Sequence, residues 1–92
     1  MMTLDTIVRP SKDQVSCELD GEAAILGLKA GMYYGLDPVG ALVWRLLQKK
    51  ISVRALRDAI LNEYEVASET CEKDLIRLLK ELEKYELVET GS

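Results

Sequence analysis

The stretch Gly31-Met32-Tyr33-Tyr34-Gly35-Leu36-Asp37-Pro38 marks the point where the chain is expected to change from strand to helix. Its two tyrosines favour a pleated surface, and the apolar side chains at alternate positions from Met32 to Leu36 would share one face of a strand. Asp37 is a favourable N-cap, and Pro38 suits the first helical turn because its missing N–H has no intrahelical acceptor there. The stretch therefore predicts sheet before it and helix after it.

Two more strands are predicted before this stretch. From Gln14 to Leu19 apolar residues alternate with polar ones, which is the period of a half-buried strand, and Asp20-Gly21 is a tight-turn signal. The run from about Glu22 to Leu28 is more continuously apolar, as expected for the middle strand of three. The three strands would form a short antiparallel meander.

Three helices are predicted after the meander, each from apolar residues at helical spacing. They run from Pro38 to about Lys49, from Val53 to about Glu63 and from about Glu69 to Tyr85. Ser52 and Ser68 are expected to be the N-caps of the second and third helices. The predicted class is therefore α+β, with a three-stranded antiparallel sheet followed by three helices, as in a winged helix-turn-helix arrangement.

The two ends of the chain carry weaker signals. Residues 1–13 lack a sustained period and are expected to form a flexible, loosely attached arm, which leaves residues 14–89 as the folded domain. Leu87 and Val88 are expected to fold back onto the core. Thr90-Gly91-Ser92 is expected to be a frayed end.

Composition limits the functions that the chain can have. Its 92 residues suit one small domain, and no apolar run approaches the roughly 20 residues that a bilayer requires. The start of the chain lacks the features of a signal peptide, so a cytoplasmic location without membrane contact is expected. The net charge of −4 disfavours a nucleic-acid partner, because phosphates must be neutralised by clustered Lys and Arg.

No catalytic or metal site is predicted. The sequence contains no histidine, so the usual general base and metal ligand is missing, and no nucleophile motif is present. Cys17 and Cys71 belong to no CxxC pair and are expected to be small, reduced core residues. We therefore expect a protein that binds a partner without a cofactor and without catalysis.

The third helix has a wider apolar face than a small core needs. At about 100° per residue, one cluster spans about 60°, Leu79 lies about 40° beyond it, and Ile76 lies about 100° beyond it on the same side. The cluster consists of Cys71, Leu75, Leu78 and Leu82. Either Ile76 packs under the sheet or the arm, or Ile76 and Leu79 form one wall of an open apolar groove.

Residues dispersed along the chain resemble the PqqD-like proteins, also called RiPP recognition elements. The resemblance covers about residues 14–89 and depends on the order and spacing of its motifs. These are the run from Gly31 to Gly40, Val43-Trp44, Ser52-Val53, Leu56, Tyr64, Asp74, Leu78, Leu82 and Leu87-Val88. As a free-standing chain of this length, it is most similar to the leader-binding proteins of lasso-peptide biosynthesis.

The resemblance implies a peptide chaperone. Such a protein captures the leader region of a ribosomally made precursor and presents it to a leader-cleaving protease or another maturation enzyme. In that family the leader adds as a strand to the third strand, beside the third helix. Carried over to this chain, the ladder would come from Met32, Tyr33, Tyr34 and Gly35, and the helix wall from Leu75, Ile76, Leu79, Lys80 and Glu83. The missing side chain at Gly35 would weaken the strand or admit a bulky leader residue.

Two other classes of protein remain open, a winged-helix regulator and a dimerisation module. A regulator needs a basic recognition helix, whereas the predicted third helix mixes acidic residues with basic ones and offers no positively charged face. A dimerisation module would bury the edge of the third strand and Ile76 against a second copy. We expect a monomer or a weak dimer.

Overall fold

The computed structural model describes residues 1–91 and has the α+β class that the sequence predicts. The strands in this range are β1 (Ile7–Pro10), β2 (Gln14–Leu19), β3 (Glu22–Gly27), β4 (Met32–Leu36), β5 (Ile51–Ser52) and β6 (Val88–Gly91). The helices are α1 (Pro38–Leu47), α2 (Val53–Glu63) and α3 (Ser68–Lys84). The predicted meander and the three helices that follow it are confirmed.

The meander β2-β3-β4 is an antiparallel sheet with an uninterrupted register. Ser16 lies opposite Ile25, and Ile25 lies opposite Tyr34, so these three side chains share one face. Ile25 has no exposed surface, whereas Tyr33 on the other face is 69% exposed. The face of Ile25 is therefore the inner one.

The apolar residues of β2 lie on the outer face of this sheet, against expectation. Val15 and Leu19 are 53% and 74% exposed, and Cys17 is exposed as well. The period of two is confirmed for β2, but the prediction that Cys17 is a core residue is wrong.

The polar residues Ser16 and Glu18 of β2 lie on the α1 side of the sheet, where α1 offers them hydrogen-bond donors, and both remain exposed. The Trp44 Nε1–H donates to Ser16 Oγ at 2.9 Å, and Arg45 Nη2 donates to Glu18 Oε1 at 2.9 Å. A buried indole N–H needs an acceptor, so the position opposite Trp44 favours a serine over an apolar side chain.

A second antiparallel sheet of order β5-β1-β6 was not predicted. Its central strand is β1, in which Val8 pairs with Ile51 and Thr90 and has no exposed surface. The expected lack of regular structure in residues 1–13 is therefore wrong for Ile7–Pro10, because backbone partners come from distant parts of the chain. Thr90 and Gly91 belong to β6 and not to a frayed end. Ser92 lies outside the described residues.

The helix starts follow local capping chemistry in two cases of three. The Asp37 carboxylate accepts from the Gly40 N–H at 2.8 Å, and Ser52 Oγ accepts from the Ala55 N–H at 3.1 Å. The N-cap of α3 is Ala67, without a side-chain cap, and Ser68 is the first helical residue. The prediction that Ser68 caps α3 is therefore one residue off.

One hydrophobic core joins both sheets and all three helices. Its largest fully buried side chains are Ile25, Leu47, Leu56, Leu79, Leu82, Leu87, Val8, Val43 and Val53. Leu87 and Val88 fold back onto this core, as predicted, and Cys71 is buried in it. None of the helices within residues 1–91 has the length and hydrophobicity needed to span a bilayer.

Candidate functional site

A groove with a volume of about 580 Å³ lies between β4 and α3. α1 and α2 contribute Val39, Val43 and Ile60 to its lining. The loop between α2 and α3 adds Tyr64 and Val66, which are 39% and 37% exposed. These apolar linings suit the apolar side chains of a ligand.

β4 is an edge strand, and two of its residues direct their backbone groups away from the sheet. The N–H and C=O of one residue in an antiparallel strand point to the same neighbour, and successive residues point to opposite neighbours. The Leu28 N–H donates to the carbonyl of Asp13, so the backbone groups of residues 28, 26 and 24 point to β2. The backbone groups of residues 27, 25 and 23 therefore point to β4. Their partners 32, 34 and 36 therefore bond to β3. Tyr33 and Gly35 consequently present free N–H and C=O groups at the open edge.

α3 turns one flank toward the groove and the other away from it. Its core face consists of Cys71, Leu75, Leu79 and Leu82. At about 100° per residue, Leu78 and Ile76 lie on opposite sides of this face. Leu78 lines the groove. On the flank of Ile76, Glu72 accepts from Arg57 of α2 at 2.6 Å, and Glu83 accepts from Thr90 of β6 at 2.7 Å.

Tyr34 connects β4 to α3 at the groove. Its hydroxyl donates to Glu81 Oε1 at 2.9 Å, and its ring centroid lies 6.1 Å from that of Tyr85. Burial, followed by the hydrogen bond to the Glu81 carboxylate, raises the pKa of Tyr34 to about 12. The phenol therefore stays neutral at physiological pH and keeps donating to Glu81.

Carboxylates outnumber basic groups along the groove. Asp74 pairs with Arg77 at 3.3 Å, Glu81 accepts from Tyr34, and Glu65 is exposed. The groove therefore disfavours a ligand of negative charge. Among residues 1–91, His, Cys, Asp and Glu side chains form no group of three or more that could hold a metal ion.

Three of the residues predicted to bind a peptide line the groove, namely Tyr34, Gly35 and Leu75. Met32 and Tyr33 also belong to β4 but do not line the groove. Tyr33 instead contributes its backbone to the open edge, and its side chain points to the outer face.

The remaining predicted residues of α3 lie outside the groove. Leu79 has no exposed surface, which corrects its assignment to the groove wall. Ile76 is half-buried against the core on the opposite flank, and Lys80 is exposed. Glu83 lines a separate cavity of about 300 Å³. Leu75 and Leu78 are the leucines in the helix wall of the groove, which also includes Cys71, Asp74, Arg77 and Glu81.

Several lining residues were missed at the sequence level. The periodicity of α3 predicts Leu78 in the core cluster, whereas in the structure it is half-buried and lines the groove. Tyr64 and Val66 could have been noticed as large apolar side chains in a short loop, where small and polar residues are more usual.

The chain resembles known proteins over most of its length. The PqqD family, described as coenzyme PQQ synthesis protein D, matches residues 22–88. A solved structure of TbiB1 in complex with the TbiA(beta) leader peptide is 38% identical, with a TM-score of 0.84, covering 91% of this chain and 98% of that chain. A lasso peptide synthetase B1 complexed with the leader peptide is 22% identical, with a TM-score of 0.79, covering 89% and 96%, and shares the fold. No curated protein matches the chain at a significant level.

Proposed function

Because the chain belongs to the PqqD family, whose members are also called RiPP recognition elements, we propose that it binds the leader region of a ribosomally synthesised precursor and presents it to a processing enzyme. The observation that carries the proposal is the open edge of β4 beside an apolar groove. The similarity to TbiB1, which was solved with a leader peptide, supports it. A leader-cleaving protease or another maturation enzyme of lasso-peptide biosynthesis is the proposed recipient.

The leader is proposed to add to β4 as a further strand. Tyr33 and Gly35 each offer one N–H and one C=O, which allows four ladder bonds. At roughly 0.5–1.5 kcal/mol each, these bonds contribute about 2–6 kcal/mol, whereas ordering each peptide residue costs roughly 1–2 kcal/mol. Backbone pairing alone therefore cannot hold a flexible peptide.

Apolar side chains of the leader are proposed to supply the missing free energy. Alternate residues of an added strand point to the same side, so every second side chain can enter the groove beside Leu75 and Leu78. Each apolar anchor contributes roughly 1.5–3 kcal/mol when fully buried, so two or three are sufficient. The groove would then determine both affinity and selectivity, and its carboxylates would select a leader segment that is neutral or basic.

The chain is proposed to act without catalysis of its own. Its sequence contains no histidine, and two of the carboxylates along the groove have structural partners, since Asp74 pairs with Arg77 and Glu81 accepts from Tyr34. Its contribution to processing would be to raise the local concentration of the precursor at the enzyme.

Titration of a labelled leader peptide, taken from the precursor encoded beside this chain, tests the proposal. We expect saturable binding with a Kd on the order of micromolar or tighter, which corresponds to about 8 kcal/mol. A scrambled leader of the same composition is the control, and its Kd should be at least about tenfold higher because its anchors no longer alternate correctly. Equal binding of both peptides, or no binding at concentrations on the order of tens of micromolar, would contradict the proposal.

A further inference from the structure

A second cavity, with a volume of about 300 Å³, lies at the end of the sheet β2-β3-β4 where β4 begins. Asp13 directly precedes β2, and Lys29 lies between β3 and β4, so both mark this end of the sheet. Glu83, Glu86 and Glu89, from the end of α3 and from β6, line the opposite side. We call this space the end cavity.

Carboxylates dominate the charged lining of the end cavity. There are four of them, against the single ammonium of Lys29. Asp13 pairs with Lys29 at 3.4 Å, and Glu89 pairs with Arg9 at 3.0 Å. Two of the four carboxylates thus have a cationic partner within the fold.

Glu83 and Glu86 are the two carboxylates whose charge is not compensated. Glu83 accepts from the neutral hydroxyl of Thr90, and neither glutamate forms an ion pair within residues 1–91. Both lie at the C-terminal end of α3, where the helix dipole adds partial negative charge. The end cavity therefore favours a cation.

A buried hydroxyl is a second and independent indication of a ligand. Ser11 lines the end cavity and is 8% exposed, and its Oγ has no hydrogen-bond partner in the described part of the chain. Buried polar groups normally have a partner, and a hydroxyl oxygen can accept from an ammonium or a guanidinium. Within residues 1–91 no group of three or more His, Cys, Asp and Glu side chains could hold a metal ion, which favours an organic cation.

The backbone of Glu86 is strained. Its φ is 60°, in the left-handed region that favours glycine, and it directly follows the C-cap of α3, where glycine is the usual residue. Strained residues of this kind often occur at ligand-binding sites. The strain agrees with the charge and with the buried hydroxyl in marking the end cavity as a binding site.

The end cavity lies close to the edge to which the leader is proposed to bind. Gln14, Gly27 and Met32 form the last row of the sheet, and the cavity adjoins this row. Neighbouring strands are about 4.8 Å apart, so a peptide added to β4 lies about 14 Å from β2. An extended chain covers this distance in about four or five residues. A precursor bound at β4 can therefore reach the end cavity.

We propose that the end cavity binds a basic side chain of the precursor, at a position about four or five residues beyond the segment that pairs with β4. This inference rests on the proposed function and adds a charged anchor to the apolar anchors of the groove. The ammonium or guanidinium group compensates the charges of Glu83 and Glu86 and gives the hydroxyl of Ser11 a donor. Charge at one end and apolar side chains along β4 then select the precursor together.

Glu86→Gly tests the inference, because it removes one carboxylate and relieves the backbone strain at the same position. Weaker binding by this variant cannot then come from a damaged fold. Asp20→Gly is the matched control, since it removes the same charge from the other non-glycine residue with a positive φ within residues 1–91, at the opposite end of the sheet. Fluorescence anisotropy measures the affinity for the labelled full-length precursor that is encoded beside this chain. The same titration is repeated at high salt and with precursors in which each Lys or Arg is replaced singly by Gln.

We expect Glu86→Gly to melt no lower than the parent and to bind the precursor about threefold or more weakly, with a smaller dependence on salt. Asp20→Gly should bind as the parent does. One Lys→Gln or Arg→Gln change in the precursor should weaken binding to the parent by a similar factor and binding to Glu86→Gly much less, as expected for two groups in contact.

The outcomes separate this inference from the proposed function. If the parent binds the precursor and Glu86→Gly binds it equally well, the inference is overturned and the proposed function stands. A set of precursor variants in which no Lys or Arg couples to Glu86 overturns the inference in the same way. If the parent does not bind the precursor, both fall.

Discussion

Leu78 and Ile76 are half-buried aliphatic residues on opposite flanks of α3, and of the two Leu78 lines the groove. Leu79 lies in the core without exposed surface. The three positions thus place similar side chains in three different environments on one helix. The same substitution at each position separates a loss of ligand contact from a loss of stability.

We expect Leu78→Glu to weaken leader binding about tenfold or more, because a carboxylate would have to be desolvated beside an apolar anchor. Ile76→Glu should retain binding, since its flank faces α2 and β6. Leu79→Glu should unfold the protein, because it buries an unpaired charge in the core. Circular dichroism and leader titration of the three variants provide the measurements. Equal affinity of Leu78→Glu and Ile76→Glu would remove Leu78 from the site.

The raised pKa of Tyr34 predicts that the free energy of unfolding falls at alkaline pH. An unfolded chain loses the phenol proton near pH 10, whereas the folded chain keeps it up to the raised pKa of about 12. The stabilisation is therefore complete below pH 10 and is lost as the pH rises to about 12, because unfolding releases a proton in this window. Urea denaturation at several pH values should show a shallower decline for Tyr34→Phe than for the parent. Tyr33→Phe, at an exposed position, is the control and should decline as the parent does.

At the scale of elements, β4 has a double role, since it is one strand of a sheet and also the proposed template for another. The alternation of its backbone groups divides these roles between neighbouring residues. Tyr34 bonds to β3, and Tyr33 and Gly35 point to the open edge. Side-chain substitutions cannot separate the two roles, because the contacts are made by the backbone.

Proline separates them, because it removes one N–H and fixes φ. Tyr33→Pro should weaken leader binding about tenfold or more with modest destabilisation, because the lost N–H faces the edge. Tyr34→Pro should damage the fold, since its N–H belongs to the ladder with β3. Tyr33→Ala controls for the lost side chain and should bind the leader more tightly than Tyr33→Pro. If Tyr33→Pro folds and binds like Tyr33→Ala, the leader is not held by strand addition at this edge.

In the molecule as a whole, the N-terminal strand β1 connects segments that are far apart in sequence. β1 lies between β5 and β6, which are about forty and eighty residues away in sequence. The carbonyls of Leu4 and Thr6 also accept from the first N–H groups of α2, at Arg54 and Val53. Residues near the N-terminus thus hold both the last strand and the second helix.

Val8→Ala should lower the free energy of unfolding by about 1.5–3 kcal/mol, because it removes two fully buried methyl groups. The melting temperature should fall by roughly 4–8 °C for each kcal/mol. Arg9→Ala, next to it on β1, removes an exposed ion pair with Glu89 and should change stability by less than about 1 kcal/mol. Differential scanning calorimetry of both variants gives the comparison. A Val8→Ala variant as stable as the parent would contradict the contribution of β1 to the core.

Elements with a local cause are predictable from the sequence alone. The Asp37 and Ser52 caps, the turn at Asp20-Gly21 and the alternation in β2 and β4 all depend on residues within a few positions of each other. Their chemistry is the same in any fold, so strand and helix positions could be read without tertiary information.

The tertiary structure alone decided which partner each face meets. A period of two shows that β2 has two different faces, but the donors on α1 decided which of them lies on the side of the helices. The apolar stripe on α3 has two flanks. The position of β4 places the groove on the flank of Leu78 and not on that of Ile76. β1 became a strand because β5 and β6 supplied its hydrogen bonds. In each case the deciding contact joins residues far apart in sequence, and periodicity carries no information about such contacts.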